Sequence, residues 1–281
     1  MRIEDVVFVW HLRDPKQIAW HGRRHAHEGG LHELHWFISG SGSFREEGRV
    51  WAISPGALHL TPPGSLHQIV ATDARRPVTY YALLFDPGGD GELLRLLATI
   101  GRGSGPRRLG GSRRFFFADM LERHFSGQEL LERSAEHLLQ AFLCELAAGA
   151  ERSGDPIDNA NVEKALAIMQ GSIDRDLDLR SLASRLSLSP EHFVRVFSAR
   201  MGMPPMKYFA RLRIEAARAM LSSTNLRIGE IASRLRYSNP FNFARSFRAI
   251  AGMSPTEYRA RYLQRADFAA AAPESDGEEP D

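Results

Sequence analysis

LASRLSLSPEHFVRVFSARMGMPPMKY (residues 182–208) and IASRLRYSNPFNFARSFRAIAGMSPTEY (residues 231–258) are two copies of one pattern. Ala183/Ala232, Phe193/Phe243, Arg195/Arg245, Phe197/Phe247, Gly202/Gly252, Pro205/Pro255 and Tyr208/Tyr258 correspond. The offset is 49 before the turn and 50 after it, so the second copy carries one extra turn residue. Each copy reads as a short helix, a turn and a second, capped helix, which is the logic of a helix-turn-helix. Ser189 and Asn239 are N-cap residues, and Pro190 and Pro240 suit the first helical position. Phe193/Phe197 and Phe243/Phe247, four residues apart, face inward. The opposite face then carries Glu191, His192, Val194, Arg195 and Ser198 in the first copy. In the second it carries Phe241, Asn242, Ala244, Arg245 and Arg248, with Asn239 at its start. Arginine and asparagine can make bidentate contacts to guanine and adenine in the major groove.

Between the copies, PPMKYFARLRIEAARAML is apolar on two sides: Met206, Phe209, Leu212, Ala216 and Met220 on one, Ala210, Ile214, Ala217 and Leu221 on the other. Such a helix suits a spacer of about 25 Å, at about 1.5 Å per residue. That length is of the right order to set two recognition helices into successive major grooves.

Charge divides in the same way. Residues 158–265 hold 18 Lys and Arg against 9 Asp and Glu, a net of +9, whereas 266–281 hold six acids and no base. A basic segment next to a short acidic tail fits a domain that meets a polyanion, and charge alone also fits a solvated surface. The single cysteine, Cys144, permits no intrachain disulfide. No apolar run approaches the roughly 18 residues that span a bilayer. The N-terminus MRIEDVVF lacks a signal peptide's basic and apolar stretches, so a cytoplasmic protein without membrane contact is expected.

Upstream of residue 90 the pattern is short runs rich in β-branched and aromatic residues, cut by GSG, REEG, SPG and PPGS. A barrel or jelly roll is expected there. Helical spacing follows from Gly91, with Leu131, Ala135, Leu138, Phe142 and Leu146 as one stripe that packs on the barrel or on a second subunit. The expected organisation is α+β: a β-barrel with flanking helices, then an all-α double helix-turn-helix. Its parts are a barrel over 1–90, a helical segment over 91–152 that is a candidate for dimerisation, a linker over 153–160, the helix-turn-helix pair over 161–265 and a disordered acidic tail over 266–281.

Residues 158–262 resemble the DNA-binding domain of the AraC/XylS family of bacterial transcription factors. LASRLSLSPEHFVRVFSARMG, LRIEAARAML and IASRLRYSNPFNFARSFRAIAGMSPTEYR carry the resemblance. It implies two-groove binding of double-stranded DNA by a monomer, with Glu191, Val194, Arg195, Phe241, Asn242 and Arg245 as base readers. It also implies RNA polymerase as a partner. One departure is Arg236, where the family commonly has glycine; if φ is positive there, arginine costs about 1 kcal/mol.

The first domain resembles the cupin sensor domains often joined to this DNA-binding domain. His25, His27, Glu33 and Gly40 match the first cupin segment, and Gly56, Pro62, Gly64 and His67 match the second. The gap from His27 to Glu33 is one residue longer than usual, and Ala71 replaces a common asparagine. The resemblance implies either a divalent metal (zinc, manganese, iron or nickel) on His25, His27, Glu33 and His67, or a metal-free pocket for a sugar or organic acid. Trp36 and His67 are candidates to line that pocket. Trp20 and Trp51 could stack on a sugar ring, though core packing suits any one tryptophan better. His32, His35 and His59 fit outward-facing strand positions equally well. The expectation is an effector-controlled transcription regulator, an activator and homodimer rather than an enzyme. The alternative is a metal-dependent cupin enzyme fused to a DNA-binding domain.

Overall fold

The computed structural model of the protein describes residues 1–12, 25–73, 75–101, 105–109, 114–149 and 156–261. Trp20 and the acidic tail lie outside the described residues. By compactness the chain divides into two units: residues 1–168 with 195–202, and residues 169–194 with the chain from Met203 onward.

The first unit holds two sheets. β1 (Arg2–Leu12), β7 (Val78–Asp86), β2 (His32–Ser39), β5 (Ala57–Thr61) and β8 (Arg107–Arg108) lie side by side in that order. β4 (Arg49–Ala52), β3 (Gly42–Glu46) and β6 (His67–Ala71) form the second sheet. The expected barrel or jelly roll takes the form of two sheets, not closed into a barrel among the described residues, with a shared interior of Val9, Phe37, Phe44, Ile53, Ala57, Ile69, Val78, Tyr80 and Ala82. β1 carries Glu4 and Asp5 among its apolar residues, and its register with β7 shifts between Ile3 and Asp5.

Turn chemistry sets the strand register. Glu47 and Gly48 both have positive φ between Glu46 and its partner Arg49, the two-residue hairpin geometry that matches strand twist. At Gly40, with φ +111°, a Cβ would come within 2.5 Å of the Val78 Cα. Only glycine lets these two backbones approach.

β2 decides which side chains meet the interior. Side chains alternate along a strand. Phe37 belongs to the interior core, so Glu33 and His35 share its face, while Leu34 and Trp36 look the other way. Both faces are covered, which is why His32–Phe37 are all buried. The outer face is closed by α2 (Arg114–His124) and α3 (Glu129–Ala147): Phe117 of α2 stacks at 5.0 Å on Trp36 and 5.6 Å from Tyr81. α3 buries Ala135, Leu139, Phe142, Leu143 and Leu146, while Leu131 and Leu138 are half-buried. It packs on α2, on α1 (Gly91–Gly101) and on β1. The stripe expected from the sequence is thus rotated and covered by its own chain.

α4 (Pro156–Gln170) starts inside the expected linker, because Pro156 fits a first helical turn. The remaining helices are α5 (Leu179–Arg185), α6 (Pro190–Met201), α7 (Pro205–Ser223), α8 (Ile228–Arg234) and α9 (Pro240–Ala251), followed by a helical stretch over residues 255–261. The repeat is plain in the backbone. Ser187 (φ 57°) and Arg236 (φ 59°) occupy equivalent left-handed positions in the two turns. The Ser189 hydroxyl accepts from the His192 N–H, and the Asn239 side-chain Oδ1 accepts from the Asn242 N–H. Phe193, Phe197, Phe243 and Phe247 are all fully buried. α7 is buried on nearly every side between Leu212 and Leu221, as the two apolar stripes require.

Candidate functional site

The histidine-rich stretch folds back on the second sheet. The His25 N–H donates to the His67 carbonyl (3.1 Å), and the His67 N–H donates to the His25 carbonyl (2.9 Å). The Gly64 N–H donates to the His27 carbonyl at 2.9 Å. His25 and His27, two residues apart, therefore present their rings on one side, where the PPGS turn delivers His67. Glu33 reaches the same point from β2. One ligand atom from each of His25, His27, Glu33 and His67 lies within 4.8 Å of all the others. All four residues named from the sequence come together.

Glu33 is the hub. Its Oε2 is 3.0 Å from His27 Nε2 and 2.9 Å from His67 Nε2, and its Oε1 is 3.3 Å from His35 Nε2. Nδ1 of His67 donates to the Ser65 carbonyl at 3.1 Å, since a carbonyl can only accept. That contact directs Nε2 of His67 at the carboxylate, the outer-shell arrangement typical of metal-ligating histidines. Burial lowers the His67 pKa, but the Glu33 carboxylate, the Ser65 carbonyl and Glu46 outweigh it, so the net shift is upward. A positive charge is favoured at this spot, whether a proton or a cation supplies it. Three imidazole nitrogens and one carboxylate oxygen form a donor set that fits zinc, manganese, iron or nickel.

The interior beside this cluster is more polar than the sequence suggested. His35 and His59, for which the sequence left the outward-facing alternative open, are 0% and 5% exposed. They form a cross-strand pair, and Glu33 pairs with Thr61 on the adjacent rung. His59 Nε2 and Thr61 Oγ1 are buried without a hydrogen-bond partner among the described residues. Burial depresses the His59 pKa to about 4, keeping the ring neutral. Burial and the Glu33 charge push the Tyr80 phenol well above its usual range. Trp51 faces this interior, 5.6 Å from His59 and 6.4 Å from Phe44. Trp36 does not: its ring lies on the helix-covered face, opposite to Glu33, so its place in the pocket is corrected. The missed residues left one signal, because Glu33 and His35 are two apart and must share a face.

In the second unit, α9 shows which exposed side chains are available. Phe241, Arg245 and Arg248 are exposed, and Asn242 is half-buried. The Asn239 side chain caps the helix. The Asn242 Nδ2 donates to Ser238 Oγ (2.7 Å), and its Oδ1 accepts from Arg245 Nη2 (3.3 Å). On α6, Glu191 and Arg195 are exposed, while His192, Val194 and Ser198 are half-buried. The two helices thus expose equivalent pairs four residues apart, Glu191/Arg195 and Phe241/Arg245. Arg236 donates its Nε to the Asp174 carbonyl at 3.1 Å, tying the left-handed turn to the loop after α4.

Comparison with known proteins finds two family matches. The AraC-like ligand binding domain matches residues 16–158, and a helix-turn-helix domain matches residues 182–261. The arabinose operon regulatory protein of Escherichia coli (strain K12) is 25% identical over 232 residues, covering 81% of this chain and 80% of its own. The MmsAB operon regulatory protein of Pseudomonas aeruginosa is 28% identical over 253 residues, covering 86% of this chain and 80% of its own. Among solved structures, a transcriptional regulator from Chromobacterium violaceum described as containing an AraC-type DNA-binding domain is 27% identical. It covers 37% of this chain and 94% of its own, with a TM-score of 0.36.

Proposed function

The chain belongs to the AraC family of transcription regulators, joining an AraC-like ligand-binding domain to a DNA-binding helix-turn-helix domain, and from that premise we propose how its two sites work. It is a DNA-binding regulator under effector control, and the relatives it matches are regulators rather than enzymes. α6 and α9 are the recognition helices. Arg195 and Arg245 read bases, Glu191 and Phe241 flank them, Arg248 faces the phosphates, and Asn239 and Asn242 hold the start of α9 in shape.

In the first unit, His25, His27, Glu33 and His67 hold a divalent cation. The observation that carries this reading is the convergence of four donor atoms within 4.8 Å, three of them imidazole nitrogens. The cation would offer an effector oxygen a Lewis-acid contact. His35, beside Glu33 Oε1, holds the carboxylate in place. A second reading, a metal-free organic effector such as a sugar or organic acid, is favoured by the buried His59 Nε2 and Thr61 Oγ1, which have no hydrogen-bond partner among the described residues. In either case the effector regulates only by favouring one arrangement of the protein over another.

The wider reading is an activator that acts in the cytoplasm, where the chromosome lies, recruits RNA polymerase and works as a homodimer. Support for dimerisation comes from the helices after the sheets, where Leu94 and Leu130 remain exposed. No helix among the described residues is long and apolar enough to cross a membrane.

The test is DNA affinity for a duplex selected from a randomised pool, measured with the full-length protein before and after chelation and metal return. A reversible change with chelator supports the cation reading. Unchanged affinity, together with a thermal shift from an organic compound, supports the metal-free one.

A further inference from the structure

Phe241 is the one large apolar side chain of the second unit, among the described residues, that stands almost wholly in solvent: it is 86% exposed. Its position is specific. Asn239 caps α9, Pro240 opens it and Phe241 follows, so the ring sits in the first turn. Side chains in a helix lean toward its N-terminus, which sends this ring outward past the end of α9. In a helix-turn-helix, the N-terminal residues of the second helix are those that meet base edges.

The neighbours narrow its role. Arg245, one turn later on the same face, is exposed. Asn242, between them, has its amide engaged by Ser238 Oγ and Arg245 Nη2 and its backbone N–H by the Asn239 side chain. The surface left to read DNA in this turn is therefore a phenyl ring and a guanidinium. The apolar group that base pairs display in the major groove is the thymine 5-methyl, and phenylalanine is among the side chains that contact it.

Resting on the assignment of α9 as a recognition helix, we infer that Phe241 is a specificity-determining residue that selects a thymine through its 5-methyl group. Arg245 reads a guanine close by: four residues of helix rise about 6 Å, on the order of two base-pair steps. The equivalent position in α6 is Glu191, which can only accept, as from a cytosine amino group. The two helices thus demand different bases, and the site they read is directional along the duplex.

The test uses the full-length protein and a duplex selected from a randomised pool. Each thymine is replaced in turn by deoxyuridine, which removes the methyl and keeps the pairing. For the wild-type protein, one substitution in the α9 half-site weakens binding roughly three- to fivefold, the value of one buried methyl group. Phe241→Ala loses at least that factor on the thymine duplex and no longer distinguishes thymine from deoxyuridine at that position. Phe241→Leu retains part of the distinction. Because the ring is exposed, circular dichroism of the variants should match that of the wild type. If every deoxyuridine duplex binds the wild type as tightly as its thymine parent, or if Phe241→Ala remains sensitive to the methyl, the inference falls and the ring belongs to a protein partner. If no sequence is enriched at all, the assignment of α9 falls with it.

Discussion

Glu33 and His67 stand 2.9 Å apart, carboxylate oxygen to imidazole nitrogen, although one belongs to the five-stranded sheet and the other to the three-stranded sheet. The contact joins the two sheets, and the His25–His27 segment reaches it through the bridge between His25 and His67. The site thus takes one donor from each sheet, Glu33 from β2 and His67 from β6.

Metal content follows directly. The purified full-length protein should retain about one equivalent of a divalent transition metal after dialysis, because four donors of the right kind converge. Glu33→Gln and His67→Ala should each lower affinity by tenfold or more, on the order seen when metal-site partners are removed. Elemental analysis and competition with a chromogenic chelator read the result. Wild-type protein that emerges metal-free and shows no thermal shift with zinc, manganese, iron or nickel would rule the cation out.

On the DNA side, Arg245→Ala and Arg195→Ala should each cost about 1–3 kcal/mol of sequence-specific binding. Asn242→Ala should cost less, since it removes a brace for Arg245 rather than a base contact. Fluorescence anisotropy on the selected duplex against a scrambled one separates the effects. Equal losses on both duplexes would mean that the arginines meet phosphates only.

His59 makes stability depend on pH. Its folded pKa, about 4, lies below the ordinary histidine value of about 6.5. The unfolded chain therefore takes up a proton that the folded protein refuses as pH falls through this window. Stability is full above about 6.5 and falls by up to about 3 kcal/mol as pH approaches 4. His59→Gln should flatten that part of the profile in urea titrations; a wild-type profile equally steep in the variant would exclude His59 as the cause.

The left-handed residues offer a cleaner stability test. Ser187→Gly should stabilise the protein by about 1 kcal/mol, because glycine adopts φ near +57° without strain. Arg236→Gly should gain less, since it also loses the Nε contact to the Asp174 carbonyl. Thermal melts of both variants give the comparison, and a Ser187→Gly variant that melts lower would contradict it.

Trp36→Ala should destabilise by about 3–5 kcal/mol, with little effect on metal or effector affinity, since its ring packs on Phe117 outside the sheet interior. A large loss of effector affinity at unchanged stability would put the tryptophan back in the pocket.

The helix-turn-helix pair was legible in the sequence because its determinants are local. Caps at Ser189 and Asn239, the Phe193/Phe197 and Phe243/Phe247 pairs and the unfavourable turn at Arg236 each involve neighbours within a few residues. A pattern repeated twice reports them twice. The four residues His25, His27, Glu33 and His67 were also legible, through a family resemblance carried by spacing. What the sequence could not decide was which way each strand residue faces and what covers it. His35, His59 and Thr61 enter the interior, and Trp36 leaves it, only because β2 pairs with β5 and β7 in one particular register. In a strand, a one-residue shift exchanges the two faces. The number and pairing of the sheets, and with them the polar interior beside the cluster, came from contacts between segments far apart along the chain, where local propensity carries no information.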